Sequence, residues 1–317
     1  MPIDVVVNRN ARRLAAGALR ETITRACIRG GARVHETADL AELDRVADAL
    51  ARAGTDGVLL AGGDGSYMAG VSALARAFGA RLPRVGLLPG GTVGTIARNF
   101  GLASEAHAWA ERLVLAACAG AVAVTPKATL RIAAPPEKDR VGFIFGAGLV
   151  ARFFDEYYGA EDPSLGAAAG IAARVFAGSL VGTAFARRVL GREQARLEVD
   201  GVEQANRAWS LVLASVVRDV GLHVLATYRA GESMERFHVV ASGMSPHALG
   251  LQAPRVLLGR AMRPRPGEAA VDALARTLRL SFEQPSGFVL DGELLRAREV
   301  TLSAGPVLPL MVAAPAR

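Results

Sequence analysis

The stretch Gly57-Val58-Leu59-Leu60-Ala61-Gly62-Gly63-Asp64-Gly65-Ser66 decides the fold. Its apolar start reads as a buried strand that runs straight into glycines. The residues after it have helical spacing (Met68, Val71, Leu74, Ala75, Phe78). A strand that ends in glycine and turns directly into a helix brings bare backbone N–H groups and the positive end of a helix dipole to one point. Such a point suits phosphate. Asp64 does not suit direct contact with phosphate, because like charges repel. It suits a Mg²⁺ held between carboxylate and phosphate, or hydrogen bonds that position a nucleotide. The competing reading is a tight strand–helix turn capped by Asp64 or Ser66.

A second unit of the same kind follows. Arg84-Val85-Gly86-Leu87-Leu88 reads as a strand, Pro89-Gly90-Gly91-Thr92 as a glycine loop, and Val93 to Arg98 as a short helix that stops near Gly101. Two such units in succession build a crevice at the carboxyl ends of parallel strands, where open α/β sheets bind ligands. Thr92 can bond a phosphate oxygen there, and Arg98 lies one to two turns into the helix.

Outward from these loops, residues 1–125 alternate strand and helix, which predicts a parallel sheet covered on both faces. Ile3 to Val7 is a predicted strand, Leu14 to Ile28 a helix and Arg33 to Glu36 a strand. Asp39-x-x-Glu42 has capping-box spacing before a helix to Ala53. Ser104 is the expected cap of a helix carrying Trp109, Leu113 and Ala117. From residue 126 the pattern changes to short apolar alternations and hairpin signals: Ala128 to Ala133, Val141 to Phe145, Arg196 to Val202 around Asp200-Gly201, Arg207 to Val217, and Leu278 to Leu290 before Asp291-Gly292. These predict an antiparallel, β-rich sandwich over residues 126–304.

Composition narrows the function classes. A chain of 317 residues suits two domains, and its 51% apolar content argues for packed cores rather than disorder. The net charge of +7 fits an anionic partner such as a nucleotide or phospholipid, or is simply the habit of an arginine-rich composition. No aromatic-interleaved basic tract supports nucleic-acid binding. Cys27 and Cys118 are too few for a disulfide framework, and the histidines have no metal-ligand spacing. With no signal-peptide pattern at the start, a cytoplasmic location is expected. Leu165 to Ala186 is the most apolar segment, but Arg174 near its middle argues for an inner or interfacial helix rather than a span. No Gly-Lys pair exists, so a Walker A loop is excluded.

The residues Gly62-Gly63-Asp64-Gly65-Ser66, Leu88-Pro89-Gly90-Gly91-Thr92 and Ala97-Arg98 resemble the catalytic domain of the diacylglycerol kinase family, which includes bacterial lipid kinases and sphingosine kinases. NAD kinases share the Gly-Gly-Asp-Gly signature more remotely. The resemblance extends to Gly146-Ala147-Gly148 and to Asp291-Gly292-Glu293, the family's C-terminal Asp-Gly-Glu. It implies an α/β nucleotide-binding domain, to which a strand within about residues 305–317 returns, and a β-sandwich substrate domain. It implies ATP and Mg²⁺, with nucleotide contacts from Asn8, Gly62, Gly63, Asp64, Gly65, Ser66, Gly91, Thr92 and Arg98. Asp64 is then the candidate metal ligand.

Phosphoryl transfer to a hydroxyl gains from a carboxylate that takes the proton. The resemblance makes Asp291 that base, supported by Glu293, while Asp-Gly is also the commonest hairpin turn pair. On this reading the phosphoryl group is transferred to a diacylglycerol-like or sphingoid lipid in a cleft between the domains. Peripheral contact with the inner membrane face and a homodimer are further expectations. Three departures bear on it: Asn8-Arg9-Asn10 replaces the usual Asn-Pro, Gly94 stands where a nucleotide-contacting Asn is expected, and Thr227 to Val240 lacks the usual middle-loop Asp. A NAD kinase-like small-molecule kinase and a non-catalytic nucleotide-binding regulator stay open as alternatives.

Overall fold

The computed structural model describes residues 2–79, 81–91, 94–102, 105–160 and 164–313. The chain divides into two compact units. Unit 1 comprises Met1–Thr129 and Gly305–Arg317, and unit 2 comprises Leu130–Ala304.

Unit 1 runs β1 (Ile3–Asn8), α1 (Arg12–Ala15), α2 (Ala18–Gly30), β2 (Arg33–Thr37), α3 (Leu40–Arg52), β3 (Gly57–Gly62), α4 (Asp64–Phe78), β4 (Arg84–Pro89), α5 (Thr95–Asn99), α6 (Ala106–Cys118) and β5 (Val122–Lys127). Its sheet is ordered β2-β1-β3-β4, then the chain's last strand (Leu308–Ala313), then β5. β1 to β4 are mutually parallel and the last strand is parallel to β4. β5 departs from the parallel expectation, since it runs antiparallel to that last strand. Strands covered on both faces read as unbroken apolar runs. Accordingly every residue of β3 is buried, and Val58, Leu59, Leu87 and Leu88 are sealed from solvent.

Local signals explain the helix boundaries. Asp39 accepts the Glu42 N–H at 2.7 Å while the Glu42 carboxylate accepts the Ala38 N–H at 2.7 Å, the reciprocal capping that the spacing predicts. The single helix expected from Leu14 to Ile28 is two helices. Gly17 breaks it with φ of 96°, a conformation that glycine adopts at little cost. Ser104 lies outside the described residues.

Unit 2 runs β6 (Leu130–Ala133), β7 (Arg140–Gly142), β8 (Ile144–Gly148), α7 (Leu149–Tyr158), α8 (Leu165–Val181), α9 (Ala184–Val189), β9 (Glu193–Val199), β10 (Val202–Glu203), β11 (Ala208–Trp209), β12 (Leu211–Ser215), β13 (Phe237–Ser242), α10 (Pro246–Leu257), β14 (Ala270–Ala275), β15 (Thr277–Leu290) and β16 (Glu293–Ala304). Its pairings are antiparallel throughout. The β-rich antiparallel class is as expected, and the strands are joined in one hydrogen-bonded sheet. The long β15–β16 hairpin makes this continuity: Leu278 to Phe282 pairs with β9, whereas Phe288 to Leu290 pairs with β8. A register shift between Ser281 and Ser286 separates the two halves. The strand expected from Val141 to Phe145 is interrupted at Phe143, whose N–H is taken by the Asp291 carboxylate.

Candidate functional site

The two glycine loops of unit 1 lie side by side. β3 and β4 are neighbours with Gly62 paired to Pro89, and the Gly90 N–H donates to the Gly62 carbonyl at 2.7 Å. Beyond that bond the loops approach so closely that side chains do not fit. A Cβ on Gly91 would stand 2.6 Å from the Gly63 Cα, and one on Gly63 would stand 3.1 Å from the Gly91 Cα. Here glycine is required by proximity rather than by φ. Asn8 ends β1, on the other side of β3, and its amide donates to the Ser66 hydroxyl at 2.8 Å. The order β2-β1-β3-β4 reverses between β1 and β3, so these residues occupy the switch point where open α/β sheets bind ligands. Thr92 lies outside the described residues.

Asp64 ties the loops together. It is the first residue of the fifteen-residue α4, whose N-cap Gly63 contributes no side-chain bond. Its two oxygens accept the N–H groups of Thr95 at 2.7 Å and Ile96 at 3.1 Å, which open α5. Asp64 therefore caps the helix of the second loop from a position in the first. The first intrahelical bond of α4 runs from the Tyr67 N–H to the Gly63 carbonyl, so the N–H groups before it have no acceptor within the helix. Burial pushes the Asp64 carboxyl above its ordinary range, while the Thr95 and Ile96 N–H groups and the charge of Arg98 oppose that rise. Arg98 is exposed, one turn into α5.

Gly94 takes φ of 62° as the N-cap of α5. That left-handed conformation suits glycine and, after it, asparagine. The same backbone thus accepts the residue that the resemblance leads one to expect there.

In unit 2, Asp291-Gly292 is the two-residue turn of the β15–β16 hairpin, with Leu290 paired to Glu293 and φ of 47° and 91°. The Asp291 side chain is 8% exposed and folds back onto the β7–β8 junction. It accepts the Phe143 N–H at 3.0 Å and the Ile144 N–H at 2.8 Å, while its own N–H donates to the Ile144 carbonyl at 2.9 Å. Glu293 accepts from Arg140 at 2.9 Å on both oxygens. The Tyr158 hydroxyl donates to the Gly292 carbonyl at 2.5 Å.

Asp291 and Glu293 stand on the same hairpin with different partners, and the sequence reading missed Arg140 and Tyr158. No local signal marks either, since both lie in other elements. It also missed the backbone donors of Thr95 and Ile96. Gly94, a glycine just before a helix, was the available clue to them.

Residues 2–123 match the family model described as the diacylglycerol kinase catalytic domain. That span takes in most of the first segment of unit 1. No curated protein matches the chain. Among solved structures, a diacylglycerol kinase from Bacillus anthracis str. Sterne is similar over 99% of this chain and 97% of its own, at 13% identity and a TM-score of 0.64. A candidate diacylglycerol kinase from the same strain is similar over 99% and 96%, at 14% identity and a TM-score of 0.67. At such identity these likenesses establish the shared fold across both units. The span matched by the family model contains both glycine loops and Asp64.

Among the described residues, no group of three or more His, Cys, Asp or Glu side chains is disposed to hold a metal ion. Asp64 is nonetheless compatible with one. Each of its oxygens accepts a single backbone N–H, and a carboxylate has about four lone-pair directions. Mg²⁺ typically needs only one or two protein carboxylates when substrate phosphates complete its shell.

Proposed function

We propose that this chain is an ATP-dependent lipid kinase that phosphorylates a hydroxyl of a diacylglycerol-like or sphingoid lipid. The observation that carries the reading is the pairing of two glycine loops at the β1/β3 switch point, joined by Asp64. Loops that come within the thickness of a methyl group expose backbone on both sides, and N–H groups there approach phosphate oxygens without obstruction. Phosphoryl transfer depends mainly on positioning and charge neutralisation, which such a cradle supplies.

In this reading Gly62, Gly63, Gly65, Ser66, Gly91 and Thr92 receive the nucleotide phosphates, with Asn8 fixing the Ser66 hydroxyl and Arg98 adding positive charge. Asp64 is the residue that would hold Mg²⁺, which when bound neutralises phosphate charge. As the acceptor oxygen bonds to the γ-phosphorus, the bond to the ADP oxygen breaks and the acceptor proton leaves to a carboxylate. Asp291 is the proposed acceptor of that proton, with Glu293 and Arg140 fixing the hairpin tip that carries it. The match of residues 2–123 to the diacylglycerol kinase catalytic domain supports the reaction class; the lipid acceptor rests on the resemblance of Asp291-Gly292-Glu293.

Transfer of label from ATP to a panel of diacylglycerol, monoacylglycerol, ceramide, sphingosine and undecaprenol tests this directly. Labelling of at least one lipid is expected. Labelling of NAD instead would move the chain to the small-molecule kinases, and ATP binding without any turnover would make it a regulator.

A further inference from the structure

The chain has two cysteines, far apart in sequence, and unit 1 brings them to one place. Cys27 is in the last turn of α2, and Cys118 is the last residue of α6. The two helices run side by side in the same direction. The Thr22 hydroxyl meets His107 Nδ1 at 3.1 Å, and farther along Arg29 pairs with Glu111 at 2.6 Å. At the ends, a Cβ on Gly30 would meet Cys118 Sγ at 2.8 Å and Cys118 Cβ at 3.1 Å. The Cys118 sulfur thus occupies the place where a side chain at position 30 would begin.

Cys27 stands one turn before Gly30 on the same helix face, where side chains have Cβ atoms about 5–6 Å apart. A disulfide joins Cβ atoms about 3.5–4.5 Å apart, which puts the pair within reach of side-chain rotation. Burial, and then the neighbouring Cys118 sulfur, push the Cys27 thiol up to about 11. Access divides the two roles. Cys27 is sealed from solvent and Cys118 is only half-buried, so a reagent from water meets Cys118 first.

The same helices support the second glycine loop. The Arg13 N–H, in the α1 turn that leads into α2, donates to the Gly90 carbonyl at 3.2 Å. Trp109 of α6 donates its indole N–H to the Leu87 carbonyl of β4 at 3.0 Å. A bond between the ends of α2 and α6 therefore braces both supports at once.

We propose that Cys27 and Cys118 are a redox-modified pair, which a hydroperoxide closes into a disulfide that clamps α2 to α6 beside the second glycine loop. The Cys118 thiolate attacks a peroxide oxygen, the O–O bond breaks, and Cys118 becomes a sulfenic acid as one water leaves. The Cys27 sulfur then attacks the Cys118 sulfur. The S–S bond forms, the S–O bond breaks, and a second water carries away the Cys27 proton. Two thiols are oxidised and one peroxide is reduced to two waters. The inference concerns the thiols and does not depend on the kinase reading.

The test treats the full chain with hydrogen peroxide, blocks remaining thiols with iodoacetamide and maps the peptides by mass spectrometry. A single intramolecular Cys27–Cys118 link is expected, lighter by two hydrogens and reopened by dithiothreitol. The oxidised chain should melt about 5 °C higher than the reduced one, since the link closes a long loop. Amide exchange in residues 18–30, 84–91 and 106–118 should slow. Cys118→Ser should remove the link and both effects, and should leave Cys27 unalkylated in the folded chain. The proposal falls if both cysteines are recovered as free thiols, or if Cys118 goes on to sulfinic acid with Cys27 untouched. It also falls if the link joins two chains, forms only in urea, or forms without slowing exchange in those segments.

Discussion

Unit 2 contains the Asp-Gly pair twice, and the copies build the same device in different surroundings. Asp200-Gly201 turns β9 into β10 with φ of 49° and 79°; Asp291-Gly292 turns β15 into β16 with φ of 47° and 91°. In each, the aspartate N–H donates to a carbonyl of another segment, Thr277 at 3.0 Å or Ile144 at 2.9 Å. In each, the carboxylate accepts two consecutive backbone N–H groups: Arg276 and Thr277 at 2.7 and 2.8 Å, or Phe143 and Ile144 at 3.0 and 2.8 Å. Only the setting differs. Asp200 is exposed, whereas Asp291 is buried beside the Arg140–Glu293 pair. Both Asp-Gly hairpins of unit 2 therefore stitch a third segment to the turn, and any chemistry at Asp291 has to come from what surrounds it.

The largest expected effect separates stitch from chemistry. If Asp291 takes the acceptor proton, Asp291→Asn should lower lipid phosphorylation by about 10²–10⁴-fold. Asp200→Asn should leave the rate essentially unchanged. Both are measured well below the melting temperature of each variant. Equal rates for the two would reduce Asp291 to the structural part that Asp200 plays.

Next in size is the cost of cutting each stitch. Asp291→Ala leaves the Phe143 and Ile144 N–H groups without their acceptor in a buried place, which costs about 2–4 kcal/mol. Asp200→Ala exposes its two donors to water and should cost about 1 kcal/mol or less. Urea denaturation reads both. A similar loss at the two sites would mean that burial at Asp291 is not what distinguishes them.

These contacts also mark where sequence reading stops. The glycine loops, the Asp39–Glu42 cap and both hairpin turns were legible because their geometry is set by residues a few positions apart. The parallel class of unit 1 was legible from the alternation of strands and helices. Partners far along the chain were not: Asp64 meets Thr95 and Ile96 from 31 and 32 positions away, and Asp291 meets Phe143 from 148. Nor does helical periodicity reveal that Gly17 breaks the helix, since apolar spacing continues across it. The reading of Leu165 to Ala186 as inner or interfacial was open between two outcomes, because composition alone does not tell which side of an apolar helix is covered.

A smaller effect isolates the turn from the stitch. Gly201→Ala and Gly292→Ala each force an alanine to positive φ, 79° and 91°, at a cost of about 1–2 kcal/mol. The two losses should agree, since the turns are alike. A much larger loss at Gly292 would show that its surroundings constrain the backbone itself, a cost separate from the carboxylate contacts.

The smallest expected effect uses Asp4 as a contrasting buried carboxylate, held by side chains instead of backbone. It is sealed from solvent and bonded by Arg33 at 2.7 Å, His35 at 2.8 Å and Thr55 at 3.1 Å. Burial pushes its carboxyl up, but the hydrogen bonds from Arg33, His35 and Thr55 and the Arg33 charge outweigh that and hold it below its ordinary value. A carboxyl lowered by folding stabilises the protein above its unfolded value, near pH ~4, and that stability is lost as pH falls through the lower folded value. Arg33 is half exposed, so solvent screens its charge, and the pH-dependent part should be about 1 kcal/mol or less. Urea titrations at neutral pH and near pH ~3 should therefore show wild type losing slightly more stability than Asp4→Asn on acidification. Arg33 and His35 reach water and can be rehydrated when the carboxylate is lost, whereas the Phe143 and Ile144 N–H groups are fixed in the backbone. For that reason Asp4→Asn should cost less at neutral pH than Asp291→Ala. The reverse order would mean that the side-chain cluster at the start of β1, and not the hairpin stitch, is the more demanding of the two buried carboxylates.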